Sequence, residues 1–128
     1  MKILVDTCVF LWYVAGSSEL PSAIRDQLRD PAHELLLSPV SAWEIVVKHG
    51  IGRLPLPEPP AVLVPRERRR HRFSELPLGE GAVLQLARLP DLHRDPFDRM
   101  LICQAIDNSA QLCTPDPLIR QYPVAILW

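Results

Sequence analysis

The sequence predicts a single α/β domain built on a largely parallel sheet with helices on both faces. Three observations carry that prediction. Residues 2–5, 35–37 and 110–113 form short apolar runs that suit buried strands and are too brief for helices. Helical spacing of apolar residues follows the first two runs and precedes the third. The chain has 128 residues, enough for one hydrophobic core and too few for two.

Taken in order, the run 2–5 ends at Asp6-Thr7, and a helix is expected from Cys8 through Trp12. Asp6 therefore sits at the carboxyl end of a first strand, the edge where open α/β sheets gather ligands. Capping the next helix is the plainer role open to it. Gly16-Ser17-Ser18 is a turn, and residues 21–30 read as an amphipathic helix whose Arg25, Asp26 and Arg29 form a solvated face. The second strand, 35–37, passes into Ser38-Pro39, a cap followed by proline that starts a helix over 40–49, closed by Gly50 and Gly52. Glu44 lies well inside that helix. Capping cannot account for it, although an i,i+4 pair with Lys48 can.

Residues 53–65 carry Pro55, Pro57, Pro59, Pro60 and Pro65, which predicts a loop with one short helix over 60–64. The next seven positions hold five arginines, Arg66, Arg68, Arg69, Arg70 and Arg72. Backbone phosphates suit such a patch, and a solvated charge run is the alternative. A short strand is expected at 73–76 and a helix over 82–89, ended by Pro90-Asp91. Asp95 is then a good N-cap and Pro96 a good first residue for a helix over 96–108, which places Asp98 in the first turn. The helix dipole is expected to hold Asp98 ionised there against neighbouring carboxylates. After the strand 110–113, Thr114-Pro115-Asp116-Pro117 repeats the arrangement at Asp6, and 124–128 closes the chain as a final strand.

Composition narrows the function classes. Hydrophobic residues make up 48% and charged residues 23%, a globular balance. No apolar run approaches the roughly 20 residues of a membrane span, and residues 1–6 are too short an apolar run for a secretory signal, so a cytoplasmic protein is expected. Cys8, Cys103 and Cys113 lack metal-site spacing and read as buried free thiols; the four histidines are scattered, so no zinc site is expected. A net charge of −1 provides no global basic field, which leaves polyanion binding to a local patch.

A parallel sheet can gather Asp6, Glu44, Asp98 and Asp116 at one edge. Four ionised carboxylates so placed repel one another, and divalent cations resolve that repulsion. Ligation by oxygen alone selects Mg²⁺ or Mn²⁺. A cation held by acids, with open positions for water and phosphate, suits phosphodiester hydrolysis without a Ser, His or Cys nucleophile.

Four stretches, Leu4-Val5-Asp6-Thr7, Ser41-Ala42-Trp43-Glu44-Ile45, Leu92-His93-Arg94-Asp95-Pro96-Phe97-Asp98-Arg99 and Thr114-Pro115-Asp116-Pro117-Leu118-Ile119, occur in an order that resembles the PIN-domain ribonucleases, specifically VapC-type toxins of toxin–antitoxin pairs. The resemblance implies a three-layer, Rossmann-like PIN fold, Mg²⁺-dependent cleavage of RNA, inhibition by a cognate antitoxin, and a homodimer. It assigns catalysis to Asp6, Glu44, Asp98 and Asp116, metal ligation to Asp6, Asp98 and Asp116, and a supporting place to Thr7. Asp95 is either a cap alone or part of the site. Gly79-Glu80-Gly81 departs from the family pattern, since such proteins start a helix there with better helix formers. Two other readings stay open: a haloacid-dehalogenase-like phosphatase using Asp6 as nucleophile, which has Cys8 where that class carries a second Asp, and a catalytically silent module binding RNA or protein.

Overall fold

The computed structural model describes residues 1–128. Its elements are β1 (Lys2–Val5), α1 (Thr7–Ala15), α2 (Ser22–Arg29), β2 (Glu34–Leu37), α3 (Pro39–Gly50), α4 (Pro60–Arg70), β3 (Ser74–Glu75), α5 (Glu80–Gln85), α6 (Pro96–Asp107), β4 (Gln111–Cys113) and β5 (Ile126–Leu127), with single 3₁₀ turns at Leu86–Arg88 and Ile119–Gln121. The five strands are all parallel in the order β3-β2-β1-β4-β5. Strand β1 is central, with Ile3 opposite Leu35 on one side and opposite Gln111 on the other.

The side-chain alternation of the strands makes the three layers. Ile3, Val5, Leu35, Leu37 and Cys113 join one core with Val9, Phe10, Ile24 and Leu63 of α1, α2 and α4. Leu4, Leu36 and Leu112, one residue out of phase, join a second core with Ala82 of α5 and Leu101, Ile102 and Ala105 of α6. Helices thus cover both faces, as expected. Gln104 is fully buried in the second layer. Its side chain accepts a hydrogen bond from the Ser38 hydroxyl and donates to the carbonyls of Leu76 and Pro77, tying α3, α6 and the β3 exit together.

Four elements differ from expectation. Helix α4 runs to Arg70 instead of stopping at 64, with Pro65 inside it. Leu63, Val64 and Glu67 are buried along one side, and that packing outweighs the hydrogen bond that proline forfeits. The arginine run is therefore largely helical. Helix α5 begins at Glu80, despite Gly79 and Gly81, and gives way to a 3₁₀ turn. At Gly81 an added Cβ would come 3.1 Å from the Asp107 carboxylate of α6, which would have to shift by a few tenths of an ångström. Strands β3 and β5 are two residues each, shorter than the runs that announced them. The three cysteines are free, Cys103 and Cys113 buried and Cys8 partly so. No helix is long and apolar enough to cross a membrane.

Candidate active site

The chain moves from β1 to β2 on one side and takes β4 on the other, so β1 and β4 flank the point where strand order reverses. A crevice opens at the carboxyl ends of such strands. Asp6 leaves β1 there, and Thr114 to Asp116 leave β4 beside it. The Asp6 backbone N–H donates to the Cys113 carbonyl (2.9 Å), carrying the ladder one step past the strand.

Asp6 caps α1 and is only 6% exposed. Its Oδ1 accepts from the Thr7 backbone N–H (2.7 Å) and its Oδ2 from the Thr114 hydroxyl (2.7 Å). Burial pushes its carboxyl above the ordinary range; the Thr114 and Thr7 hydrogen bonds oppose this, and the charges of Glu44 and Asp116 add to it. Capping and site membership are thus compatible, since a carboxylate oxygen has a second lone pair to offer.

Glu44 is buried on α3 and faces the same spot. The Thr7 hydroxyl donates to its Oε1 (2.7 Å), and Ser41 Oγ lies 3.0 Å from that hydroxyl oxygen. Its Oε2 takes the Lys48 ammonium. The helix pair and the site role are therefore both real, and Lys48 arrives as a built-in cation that sequence reasoning treated only as an alternative. Burial pulls the Lys48 ammonium down, yet the Glu44 hydrogen bond and the charges of Glu44, Asp95 and Asp98 raise it on balance.

At the start of α6, Asp95 Oδ1 accepts from the backbone N–H of Phe97 (2.9 Å) and of Asp98 (3.3 Å). Asp95 is the cap. Asp98 projects into the cluster, its side chain 14% exposed. Its carboxyl is pushed up to about 7, by burial first and then by the charges of Asp6, Asp95 and Glu44, with His93 opposing. The helix dipole alone therefore does not keep Asp98 fully ionised near neutral pH. A dipole worth about a kcal/mol at most positions is outweighed by desolvation among three other acids.

Asp116 Oδ1 accepts from the Leu118 N–H (2.9 Å), while Oδ2 lies 2.9 Å from His93 Nε2, which is also 3.1 Å from Asp98 Oδ2. Thr114 Oγ, besides donating to Asp6, accepts from the Asp116 N–H (3.2 Å). His93 and Thr114 are the residues sequence reasoning missed. His93 stands two positions before the Asp95 cap, a proximity that a search for zinc spacing ignores.

Two overlapping groups result. Oxygens of Asp6, Glu44 and Asp98 lie within 4.8 Å of one another, as do single ligand atoms of His93, Asp98 and Asp116. The first is an all-oxygen set, the donor chemistry that Mg²⁺ and Mn²⁺ prefer, and it needs only small side-chain shifts to reach the roughly 2.1 Å ligand distance of Mg²⁺. Asp116 meets this set through Asp98.

The arginines do not join the cluster. Arg66 pairs with Glu58 (2.6 Å) and Glu67 (3.3 Å). Arg68 lines a cavity of about 300 Å³ beside Ser38 and Pro39. Arg70 and Arg72 line another of about 420 Å³ with Arg29, His33 and His71, where the chain enters β2 and β3, at the opposite edge of the sheet from Asp6.

Fold and site together define a Rossmann-like α/β domain with a buried acidic centre at its switch point. The chain belongs to the PIN domain family, whose sequence profile matches residues 3–124. Over 49 residues it is 46% identical to ribonuclease VapC16 of Mycobacterium tuberculosis, a stretch covering 38% of this chain and about a third (35%) of that protein. Its fold is similar to VapBC2 from Rickettsia felis, solved bound to a DNA fragment from its promoter, with TM-score 0.74, 13% identity and coverage of 100% and 98% of the two chains. DNA-bound VapBC from Salmonella typhimurium gives TM-score 0.70, 15% identity and coverage of 100% and 97%.

Proposed function

We propose that this chain is a metal-dependent endoribonuclease that hydrolyses RNA phosphodiester bonds as the toxin of a toxin–antitoxin pair, acting in the cytoplasm. The observation that carries the reading is the convergence of Asp6, Glu44 and Asp98 oxygens within 4.8 Å at the carboxyl edge of a parallel sheet. Asp6, Glu44 and Asp98 would hold Mg²⁺ or Mn²⁺, with Asp116 alongside. Such an ion supplies a more acidic bound water and offsets charge on the phosphate. The chain's own part is positioning. Thr7 sets Glu44 against Asp6, and Thr114 sets Asp6 against Asp116, so one hydroxyl on each side fixes the orientation of the acids. Lys48 leaves the cluster less anionic and so more open to a phosphate.

Arg68, Arg69, Arg70 and Arg72 would contact phosphates remote from the scissile one, whereas Arg66 is already committed to Glu58 and Glu67. The similarity to VapBC structures supports an antitoxin partner, whose basic side chain would pair with the acids, and a homodimer belongs to the same proposal. A phosphatase using Asp6 as nucleophile is the weaker reading, because position 8 is Cys where that class carries a second Asp. Cleavage of single-stranded RNA with Mn²⁺, with EDTA added and in Asp6→Asn, tests the proposal. Loss in both supports it; activity surviving both refutes it.

A further inference from the structure

The hydrogen bonds around the His93 ring assign its proton. Nδ1 lies 3.1 Å from the backbone N of Asp95. An amide N–H only donates, so Nδ1 presents its lone pair and the ring proton belongs on Nε2. That N–H donates to Oδ2 of Asp116 (2.9 Å), and Oδ2 of Asp98 lies 3.1 Å from the same nitrogen. The loop carrying the ring is itself anchored. The buried Tyr122 hydroxyl accepts from the backbone N–H groups of Leu92 (3.0 Å) and His93 (2.7 Å), and Arg99 donates to the Pro90 carbonyl (3.0 Å). The other Asp116 oxygen is taken by the Leu118 amide. Between Asp98 and Asp116, then, stands a hydrogen-bond donor where a shared cation would stand, and the nitrogen that faces the acids has no lone pair to ligate one.

Resting on the cation reading above, we propose that His93 is a positioning residue that keeps Asp116 out of the coordination sphere: a first cation is held by Asp6, Glu44 and Asp98, and Asp116 becomes a ligand only when the His93 hydrogen bond is given up. His93 thereby sets how many acids the site commits to metal.

Titration of Mn²⁺ alone into the full chain, followed by the electron paramagnetic resonance of the free ion, tests this without cleavage. Asp6→Asn is expected to weaken Mn²⁺ binding by roughly tenfold or more, and Asp116→Asn by severalfold less than Asp6→Asn while His93 is present, because Asp116 then gives the ion no oxygen. In a His93→Ala background Asp116 is released, and Asp116→Asn is then expected to cost roughly tenfold. His93→Gln, which restores an N–H donor, should return Asp116→Asn to its small effect, and it serves if His93→Ala does not fold. An Asp116→Asn loss as large as that of Asp6→Asn with His93 in place would overturn the proposal, and so would an Asp116→Asn effect that is equal in all three backgrounds. Failure of the wild-type chain to take up Mn²⁺ would instead overturn the cation reading on which the proposal rests.

Discussion

Asp98→Asn separates the cost of the acidic cluster from its use. In the metal-free protein the Asp98 carboxyl is pushed up to about 7 from an ordinary 3.8, chiefly by burial. Between those values the folded state holds a proton that the unfolded chain releases, so stability falls as pH rises through this window and is lowest above about pH 7. The full interval corresponds to about 4 kcal/mol at about 1.4 kcal/mol per tenfold in protonation. Solvent screening of a side chain that keeps 14% exposure reduces the working figure to about 2 kcal/mol. Asparagine keeps the shape and carries no charge. Thermal unfolding in EDTA should therefore show wild type and Asp98→Asn melting together near pH 4, with the variant ahead by about 8 °C near pH 8.5, taking roughly 4 °C per kcal/mol for a domain of this size. Added Mn²⁺ should reverse the order, raising the wild type and leaving the variant unmoved, while RNA cleavage by the variant is lost. A gap that does not widen with pH would refute the reasoning, because charge would then not be what Asp98 costs the fold.

Asp95→Asn keeps the cap on Phe97 and Asp98 and should be mild in stability and turnover, whereas Asp95→Ala should lose about 1 kcal/mol in denaturant titration; an Asp95→Asn variant as inactive as Asp98→Asn would make Asp95 part of the metal site. Tyr122→Phe leaves the amides of Leu92 and His93 without their acceptor and should cost about 1–2 kcal/mol. Amide exchange should quicken first at 92 and 93, and uniform quickening across α6 would contradict the anchoring role. Replacing Arg68, Arg69 and Arg70 by Ala should flatten the salt dependence of single-stranded RNA binding by about 0.7 log units per lost contact, whereas Arg66→Ala should leave the slope unchanged. Equal slopes in all variants would make the run a solvated face.

Much of this protein is written locally. Strand alternation, as at Ile3, Leu4 and Val5, needs only neighbouring residues, and it decides which face of the sheet each side chain enters. The caps at Asp6, Ser38 and Asp95 are local too, each reaching a backbone N–H one to three residues ahead. The positions of Asp6 and Asp116 at strand ends follow from these local signals, and so does the expectation that a parallel sheet brings them to one edge. Tertiary structure decided what depends on distant neighbours. Helix α4 outran Pro65 because Leu63, Val64 and Glu67 found a surface to bury against. Thr114 reaches Asp6 across 108 positions and His93 reaches Asp116 across 23, separations at which no periodicity in the sequence reports a contact. The protonation of Asp98 was likewise hidden: helix position is local, but desolvation and the charges of Asp6 and Glu44 exist only once three elements meet, and there they outweigh the dipole.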